Sequence, residues 1–384
     1  MSLTNADRPK VLFLFSDTGG GHRSAAEAII EAIELEFPGK MNTEMVDIFL
    51  ACPPPLNLAG PTYPAMAGMP LIWKSTFQMS DGRRRARFIH AAFWPYVRRA
   101  AYRLITEHPA DLIVSVHPVP NMAILRAMTT KTPYITVVTD MVSTHAMWYD
   151  YRADLVIVPT EEARQRGIRL GMPPDKFKVI GLPVADRFRH NLGPKAELRQ
   201  RLGWPQDKPV ILMVSGGEGM GPVERTARAI GDSGLPAALA IITGRNAKLK
   251  AKLEKHQWAM PAYIYGFVRE MPLFMQAADI LVSKAGPGTI SEAFIPGLPM
   301  ILYSRVPGQE EGNVTYVVSE GAGVWAPESE IVIETLRRWL SHPEEMAEIS
   351  ENSRNLSCPD SSLQIARIIA QRLGVEKDQA VQEE

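Results

Sequence analysis

Short apolar runs recur along the chain, and helix-like stretches of mixed polarity stand between them. KVLFLF (10–15) is continuous in its apolar character and bounded by turn formers, which predicts a strand buried on both faces. SAAEAIIEAIELEF (24–37) carries apolar positions at helical spacing, and Pro38-Gly39 stops it. TEMVDIFL, DLIVSVH, PYITVVTD, ADLVIVP and FKVIGLP continue the series to residue 183. Residues 184–208 hold prolines and charges with little periodicity, which predicts a linker. The pattern then restarts with PVILMVS, AALAIITG, AYIYGFV, ADILVSK and PMILYS, and helices near 330–341 and 361–373 close the chain.

Such alternation predicts parallel sheets covered by helices. The expected architecture is α/β, with two doubly wound, Rossmann-like domains in series. Residues 1–183 form an N-terminal domain, 184–208 the linker and 209–384 a C-terminal domain, the last helix being a candidate to pack back on the first. Open parallel sheets bind ligands beyond the carboxyl ends of their strands, so two facing sheets would offer a cleft lined by strand–helix loops.

Composition narrows the function. The chain has 384 residues with 42 basic and 42 acidic side chains, so its global field does not call for a nucleic acid partner. Its two cysteines have no metal-ligand spacing, which favours a reducing compartment. The polar MSLTNADRPK start lacks a signal peptide's apolar stretch, and no window approaches the roughly 18 apolar residues of a spanning helix. The absence of a transit-like segment points to a bacterial, cytoplasmic protein.

The loops after the strands carry the candidate chemistry. LFSDTGGGHRSAAEAI (14–29) joins a strand to a helix, the context for an anion on backbone N–H groups. No Gly-Lys-Ser/Thr ends it, so it is not a Walker loop, and Ser24 stands where a dinucleotide fingerprint has its third glycine. Asp47, closing the second strand, is the one feature that suits a ribose of a nicotinamide cofactor. A tight turn capped by Ser24 or Asp17 remains the plain alternative. His22 at the helix start is kept neutral by the dipole, and a neutral imidazole can take a proton from a hydroxyl; hydrogen-bonded scaffolding is its other reading.

SKAGPGTISEAF (283–294) repeats the strand–loop–helix context. Gly286 and Gly288 flank Pro287, Thr289 is placed to cap, and the helix N-terminus offers amides to a diphosphate. Glu292 lies one turn in, where it serves either a ribose diol or the helix dipole. SGGEGMGPVE (215–224) is a third glycine-dense loop. RVPGQEEGNVTYV (305–317) clusters Gln309, Glu310, Glu311 and Asn313, planar acceptors and amides that suit adjacent sugar hydroxyls.

Taken in series, GGGH, GGEGMG, KAGPGTISEA and PGQEEGN resemble the monogalactosyldiacylglycerol synthase family, whose relatives are the bacterial diacylglycerol glucosyltransferases and, further off, the lipid II-forming glycosyltransferase, all of glycosyltransferase family 28. VVTDMVSTHAMWYDYRAD (137–154) is similar to that family's TD-x-x-x-x-H-x-x-W stretch. The resemblance runs from about residue 11 to 317. It implies the GT-B fold and an inverting hexosyltransferase that uses UDP-galactose or UDP-glucose. It also implies that Gly286, Gly288 and Thr289 hold the diphosphate, Glu292 the ribose, and Phe267 the uracil through its backbone, with Gly217 and Lys284 as further donor-site candidates. Gln309, Glu310 and Asn313 would hold the hexose, and Gly20, Gly21 and His22 would face the donor.

Glycosyl transfer needs a base and a stabilised leaving group. The chain contains no Asp-x-Asp, so no metal and no other cofactor is expected, helix N-termini and Lys284 replacing the metal clamp. His22 is the expected base and Asp140, at a strand end, its rival. His145 and Trp148 are read either as shaping the acceptor side or as ordinary packing. Between 51 and 103, Arg83, Arg84, Arg85 and further arginines stand among Phe88, Phe93, Trp94 and Tyr96. That mixture suits an anionic membrane interface, or else a solvated basic helix over a core. The leading expectation is transfer to diacylglycerol by a cytoplasmic enzyme peripheral on the inner face of the cell membrane. A UDP-sugar enzyme with a soluble acceptor, a 2-epimerase-like enzyme and a nonenzymatic nucleotide-binding module stay open.

Overall fold

The computed structural model describes residues 8–17, 20–50, 52–54, 56–58, 70–217 and 221–377. Thr18 and Gly19 of the first loop, Glu218–Met220 of the third, and the whole proline- and methionine-rich 59–69 stretch lie outside the described residues. The chain divides into two compact units. One holds the described residues up to Asp186, apart from Pro70, together with those from Pro359 onward; the other holds Arg187–Cys358.

The first unit contains six parallel strands: β1 (Lys10–Phe15), β2 (Asn42–Asp47), β3 (Leu112–Ser115), β4 (Tyr134–Val137), β5 (Leu155–Val158) and β6 (Phe177–Val179). Their spatial order is β2-β1-β3-β4-β5-β6. Val11, Leu12, Phe13 and Leu14 are all fully buried, because helices cover both faces of the sheet and these four residues of β1 have no wet side. The order reverses between β1 and β3, so this unit's switch point lies beyond Phe15 and Ser115.

The second unit repeats the plan with β7 (Val210–Val214), β8 (Ala238–Ile242), β9 (Ala262–Tyr265), β10 (Ile280–Lys284), β11 (Met300–Ser304) and β12 (Gly323–Trp325). All pairings are parallel, in the order β12-β11-β10-β7-β8-β9, which puts the switch point between β7 and β10. The fold class is therefore the expected α/β pair of doubly wound domains.

The linker expectation fails in part. Within 184–208 the helix Lys195–Leu202 packs into the second unit: Arg199 donates from Nε to the Ala277 carbonyl at 3.0 Å, and buried Trp204 donates its indole N–H to Tyr265 at 2.9 Å. Too few apolar residues gave this segment a period. The helix Pro343–Asn355 was not expected either, nor was three-residue β12.

The last helix, Ser361–Leu373, lies in the first unit on helix Gly21–Glu36. Leu363, Ile365, Ala366, Ile369 and Ala370 join the core made by β1, β3 and β4. Ser361 and Ser362 anchor the helix start on the carbonyls of Leu182 and Val184 at 2.7 and 2.6 Å. Arg367 grips Glu36 through both carboxylate oxygens, at 3.0 and 2.9 Å, and holds that carboxyl down at about 2. Ile369→Ala should destabilise the first unit by about 2–4 kcal/mol. Hydrogen exchange should show the loss across β1–β6 and leave β7–β12 unchanged, although Ile369 follows both sheets in sequence.

Candidate functional site

In the first unit the chain leaves β1 and enters helix Gly21–Glu36 through Gly20, whose φ of 75° is left-handed and which carries no side-chain cap. Asp17, one of the two alternative capping residues, pairs with Arg23 at 2.5 Å. A β-carbon on Gly20 or Gly21 would meet nothing within 4 Å, so the loop leaves room for a bound group. His22 follows in the first turn. Its Nδ1 lies 2.9 Å from the Val116 carbonyl and 2.8 Å from Thr139 Oγ1. The ring keeps some access to solvent, yet the protein around it lowers its pKa to about 4, burial outweighing the Val116 hydrogen bond.

His117, just past β3, stands edge-on to His22 with ring centroids 4.5 Å apart, and burial, then the neighbouring His22, hold it well below the usual histidine range. Asp140, just past β4, is buried and accepts the indole N–H of Trp148 at 2.6 Å. The Trp148 ring in turn lies 6.2 Å from that of His22. The first switch point thus gathers His22, His117, Thr139 and Asp140.

In the second unit Lys284 ends β10. Its Nζ meets Glu310 Oε1 at 2.6 Å, and the second oxygen of Glu310 accepts the Val306 N–H at 2.8 Å. Both oxygens of Glu310 thus take part in fixing Lys284 and the loop. A β-carbon on Gly216, after β7, would lie 3.2 Å from Lys284 Cε, and one on Gly286 would lie 3.0 Å from Nζ. Glycine at both positions lets the lysine lie across the second switch point.

Gly286, not Thr289, is the N-cap of helix Pro287–Phe294, and space around Gly288 is open. Glu292 is held up at about 7 by burial, with Arg187 opposing. Asn313 donates to the Ala285 carbonyl at 2.9 Å, and its Oδ1 is buried with no hydrogen-bond partner. Gln309 sits beside Glu310 in the same loop. Gly217 accepts the Arg245 N–H at 2.8 Å, and the Arg245 guanidinium stacks 5.0 Å from the exposed Phe267 ring.

The acceptor candidates separate. Trp148 is fully buried. His145 is buried too: its Nδ1 accepts the Met147 N–H at 3.2 Å and its Nε2 lies 3.1 Å from Ser80 Oγ. These two side chains are framework, because packing and hydrogen bonds already occupy them. Trp94 is partly buried beneath Arg126, 4.4 Å from its ring. Arg84 is exposed, Arg85 folds back onto the Gln78 carbonyl at 2.9 Å, and Arg83 lies against Gly171. Helices Pro70–Ser80 and Arg83–Glu107 present Met79 and Phe88 to solvent, 75% and 74% exposed, with Phe93 beside them at 53%.

Beneath helix Arg83–Glu107 runs an apolar groove of about 240 Å³, walled by Phe49, Phe93, Val97, Ala101, Val119 and Met147. Phe49 packs against His117 at 5.6 Å, which brings the groove's inner end next to His22. A second cavity of about 410 Å³ shares His90 and Met122 with it and is lined by Arg83, Arg87, Arg126 and Arg152. No helix among the described residues is long and apolar enough to cross a membrane.

Sequence reasoning missed Thr139, His117, Arg245 and Gly244. Their signal was present, since each follows an apolar run where strand–helix loops bind ligands. Gly244, at φ 60°, is enforced by contact: a β-carbon there would lie 2.4 Å from the Gly217 carbonyl oxygen.

Comparison with known proteins bears on both units. Residues 22–184 match the family model for monogalactosyldiacylglycerol synthase, and 222–370 that for the glycosyltransferase family 28 C-terminal domain. Monogalactosyldiacylglycerol synthase 1 of Arabidopsis thaliana, a chloroplastic protein, is 36% identical over 375 residues, covering 94% of this chain and 70% of its own. Among solved structures, Staphylococcus aureus MnaA with UDP aligns with a TM-score of 0.63 at 16% identity, covering 97% and 99% of the two chains. Acinetobacter baumannii MurG aligns with a TM-score of 0.59 at 14% identity, covering 94% and 100%. These likenesses identify the fold as GT-B. The expectation of a cytoplasmic protein at the inner face of the cell membrane is corrected, because the matching curated relatives are named as chloroplastic. It drew on the lack of a targeting segment, and an address read by a receptor leaves no trace in a fold.

Glu292 offers a test of the second unit's electrostatics. Between the ordinary carboxylate range and about 7 the folded chain binds a proton that the unfolded chain lacks, so stability falls as pH rises through that window. Glu292→Gln removes the cost. Its thermal midpoint should exceed wild type's at about pH 8, by roughly 1–2 kcal/mol of stability, with no gain near pH 4. Scanning calorimetry checks this, and an equal gain at both pH values would contradict it.

Proposed function

The chain belongs to the monogalactosyldiacylglycerol synthase family, and from that premise we propose that it transfers galactose from UDP-galactose to the free hydroxyl of diacylglycerol with inversion. The observation that carries this reading is His22, pinned through Nδ1 at the first switch point beside an apolar groove. The first unit would supply the base and the lipid site, and the second the donor site.

In this reading His22 Nε2 takes the proton of the acceptor hydroxyl as its oxygen attacks the anomeric carbon. The bond from that carbon to the diphosphate oxygen breaks, and UDP leaves with the electron pair. A single displacement from the opposite face inverts the configuration. Lys284 and the first-turn amides of helix Pro287–Phe294 offset the leaving charge, with no metal required. Glu292 accepts hydrogen bonds from the ribose hydroxyls. The arrangement of Phe267 and Arg245 supports a planar base there, and buried Asn313 Oδ1 supports a nearby hydroxyl donor. Asp140 orients the site through Trp148 rather than acting as base.

The groove favours a lipid acceptor over a soluble one, since an acyl chain in it is removed from water. Exposed Met79 and Phe88 beside Arg84 suit contact with an anionic lipid surface, each basic side chain contributing about 1 kcal/mol. The arginine-lined cavity next to the groove adds to that field.

UDP release from UDP-galactose, with diacylglycerol in vesicles, tests the reading. Release should require the lipid and rise with anionic lipid. His22→Ala should lower kcat by about 10²–10⁴ with donor KM within about twofold. Because the base acts unprotonated and His22 lies near 4, kcat/KM should hold from about pH 8 to about pH 6 and fall only below that. Val97→Trp, which fills the groove, should raise the KM for long-chain diacylglycerol and spare the donor KM. Release independent of lipid, or unaltered in His22→Ala, would remove this function.

A further inference from the structure

His22 Nδ1 has two oxygen neighbours, the Val116 carbonyl at 2.9 Å and Thr139 Oγ1 at 2.8 Å. A carbonyl only accepts, so Nδ1 carries the ring proton. A neutral imidazole has one N–H, which leaves Nε2 with its lone pair. Thr139 Oγ1 accepts alongside the carbonyl, and its own proton points toward the same Val116 oxygen at 3.5 Å. His117 stands in the opposite tautomer: its Nδ1 accepts the Val119 N–H at 3.3 Å, so its proton sits on Nε2.

We propose that Thr139 is a positioning residue that holds His22 in the Nδ1–H tautomer, so that Nε2 is the nitrogen able to receive the acceptor proton. The proposal rests on the reading of His22 as the base. Both anchors lie just past strand ends, Val116 after β3 and Thr139 after β4, and the β3–β4 register fixes their spacing. Thr139 is buried, and its branched β-carbon stiffens the hydroxyl's direction. An unconstrained neutral imidazole prefers its proton on Nε2. Removing the second acceptor weakens the hold on Nδ1–H and releases the ring toward the tautomer that cannot act as base.

The test uses the full chain with ¹⁵N-labelled histidine, His22 being assigned by its absence in His22→Ala. Long-range ¹H–¹⁵N spectra should show wild-type His22 protonated at Nδ1 and not at Nε2. Thr139→Val, which keeps the shape and loses the hydroxyl, should populate the Nε2–H form and lower kcat about tenfold with donor KM within about twofold. Thr139→Ser should restore the tautomer and bring kcat to within about threefold of wild type. Circular dichroism establishes that each variant is folded.

Wild-type His22 protonated at Nε2 would overturn the proposal. So would wild-type kcat in Thr139→Val, or a lower kcat with the tautomer unchanged, which would assign the loss to packing. Turnover surviving in His22→Ala would remove the base and this proposal with it. A wild-type chain inactive on diacylglycerol but showing the Nδ1–H form, altered in Thr139→Val, would strike the acceptor reading alone and uphold the lock.

Discussion

Parallel strand pairing is the constraint on which everything else rests. It points every carboxyl end in a sheet at the same edge, and each strand then delivers its chain to a helix N-terminus at that edge. Where the strand order reverses, two neighbouring strands send their loops to opposite sides, and a gap opens between them. In the first unit that gap lies past β1 and β3, and it holds His22 and His117; in the second it lies past β7 and β10, and it holds Gly216 and Lys284.

Burial at these edges sets the chemistry. Low polarity disfavours charge, so the groups there either lose it or are paired. His22 and His117 are held neutral, burial being the main cause for both. Glu292 is pushed toward its protonated form at a small cost in stability. Lys284 pairs with Glu310, whose second oxygen ties down the Val306 amide. The stability given up at Glu292 is supplied elsewhere, in sheet cores whose central strands are buried on both faces.

The chain's path has its own consequence. The last helix completes the core of the first unit after the second has been made, so the first unit's stability depends on residues at both ends of the sequence. The Arg367–Glu36 pair and the two serine anchors at residues 361 and 362 hold that return in place. On the other side of the first sheet, helix Arg83–Glu107 does not seal against its neighbours. The groove it leaves runs to Phe49 and thus to His117.

The local pattern of the chain was enough to locate both sheets, since runs such as KVLFLF and ADILVS have one environment open to them, a strand covered on both sides. The strand–loop–helix context of the glycine loops and of His22 was equally legible, because a helix start after a parallel strand presents unpaired amides whatever the rest of the fold does. Short or sparse elements were not legible: three-residue β12 and helix Lys195–Leu202 are held by partners distant in sequence, Trp204 on Tyr265 and Arg199 on Ala277. The same reason decided the roles of side chains. GGGH places a histidine at a helix start, but the tautomer of His22 is set by Val116 and Thr139, which approach it from β3 and β4. THAMW looks like an acceptor wall until packing closes over Trp148 and both nitrogens of His145 are engaged. Sequence by itself determined what each segment must bury and which loops are free to bind. Only tertiary structure decided which polar atoms meet, because hydrogen bonds form between atoms a few ångströms apart, and those atoms come from strands a hundred residues apart in the chain.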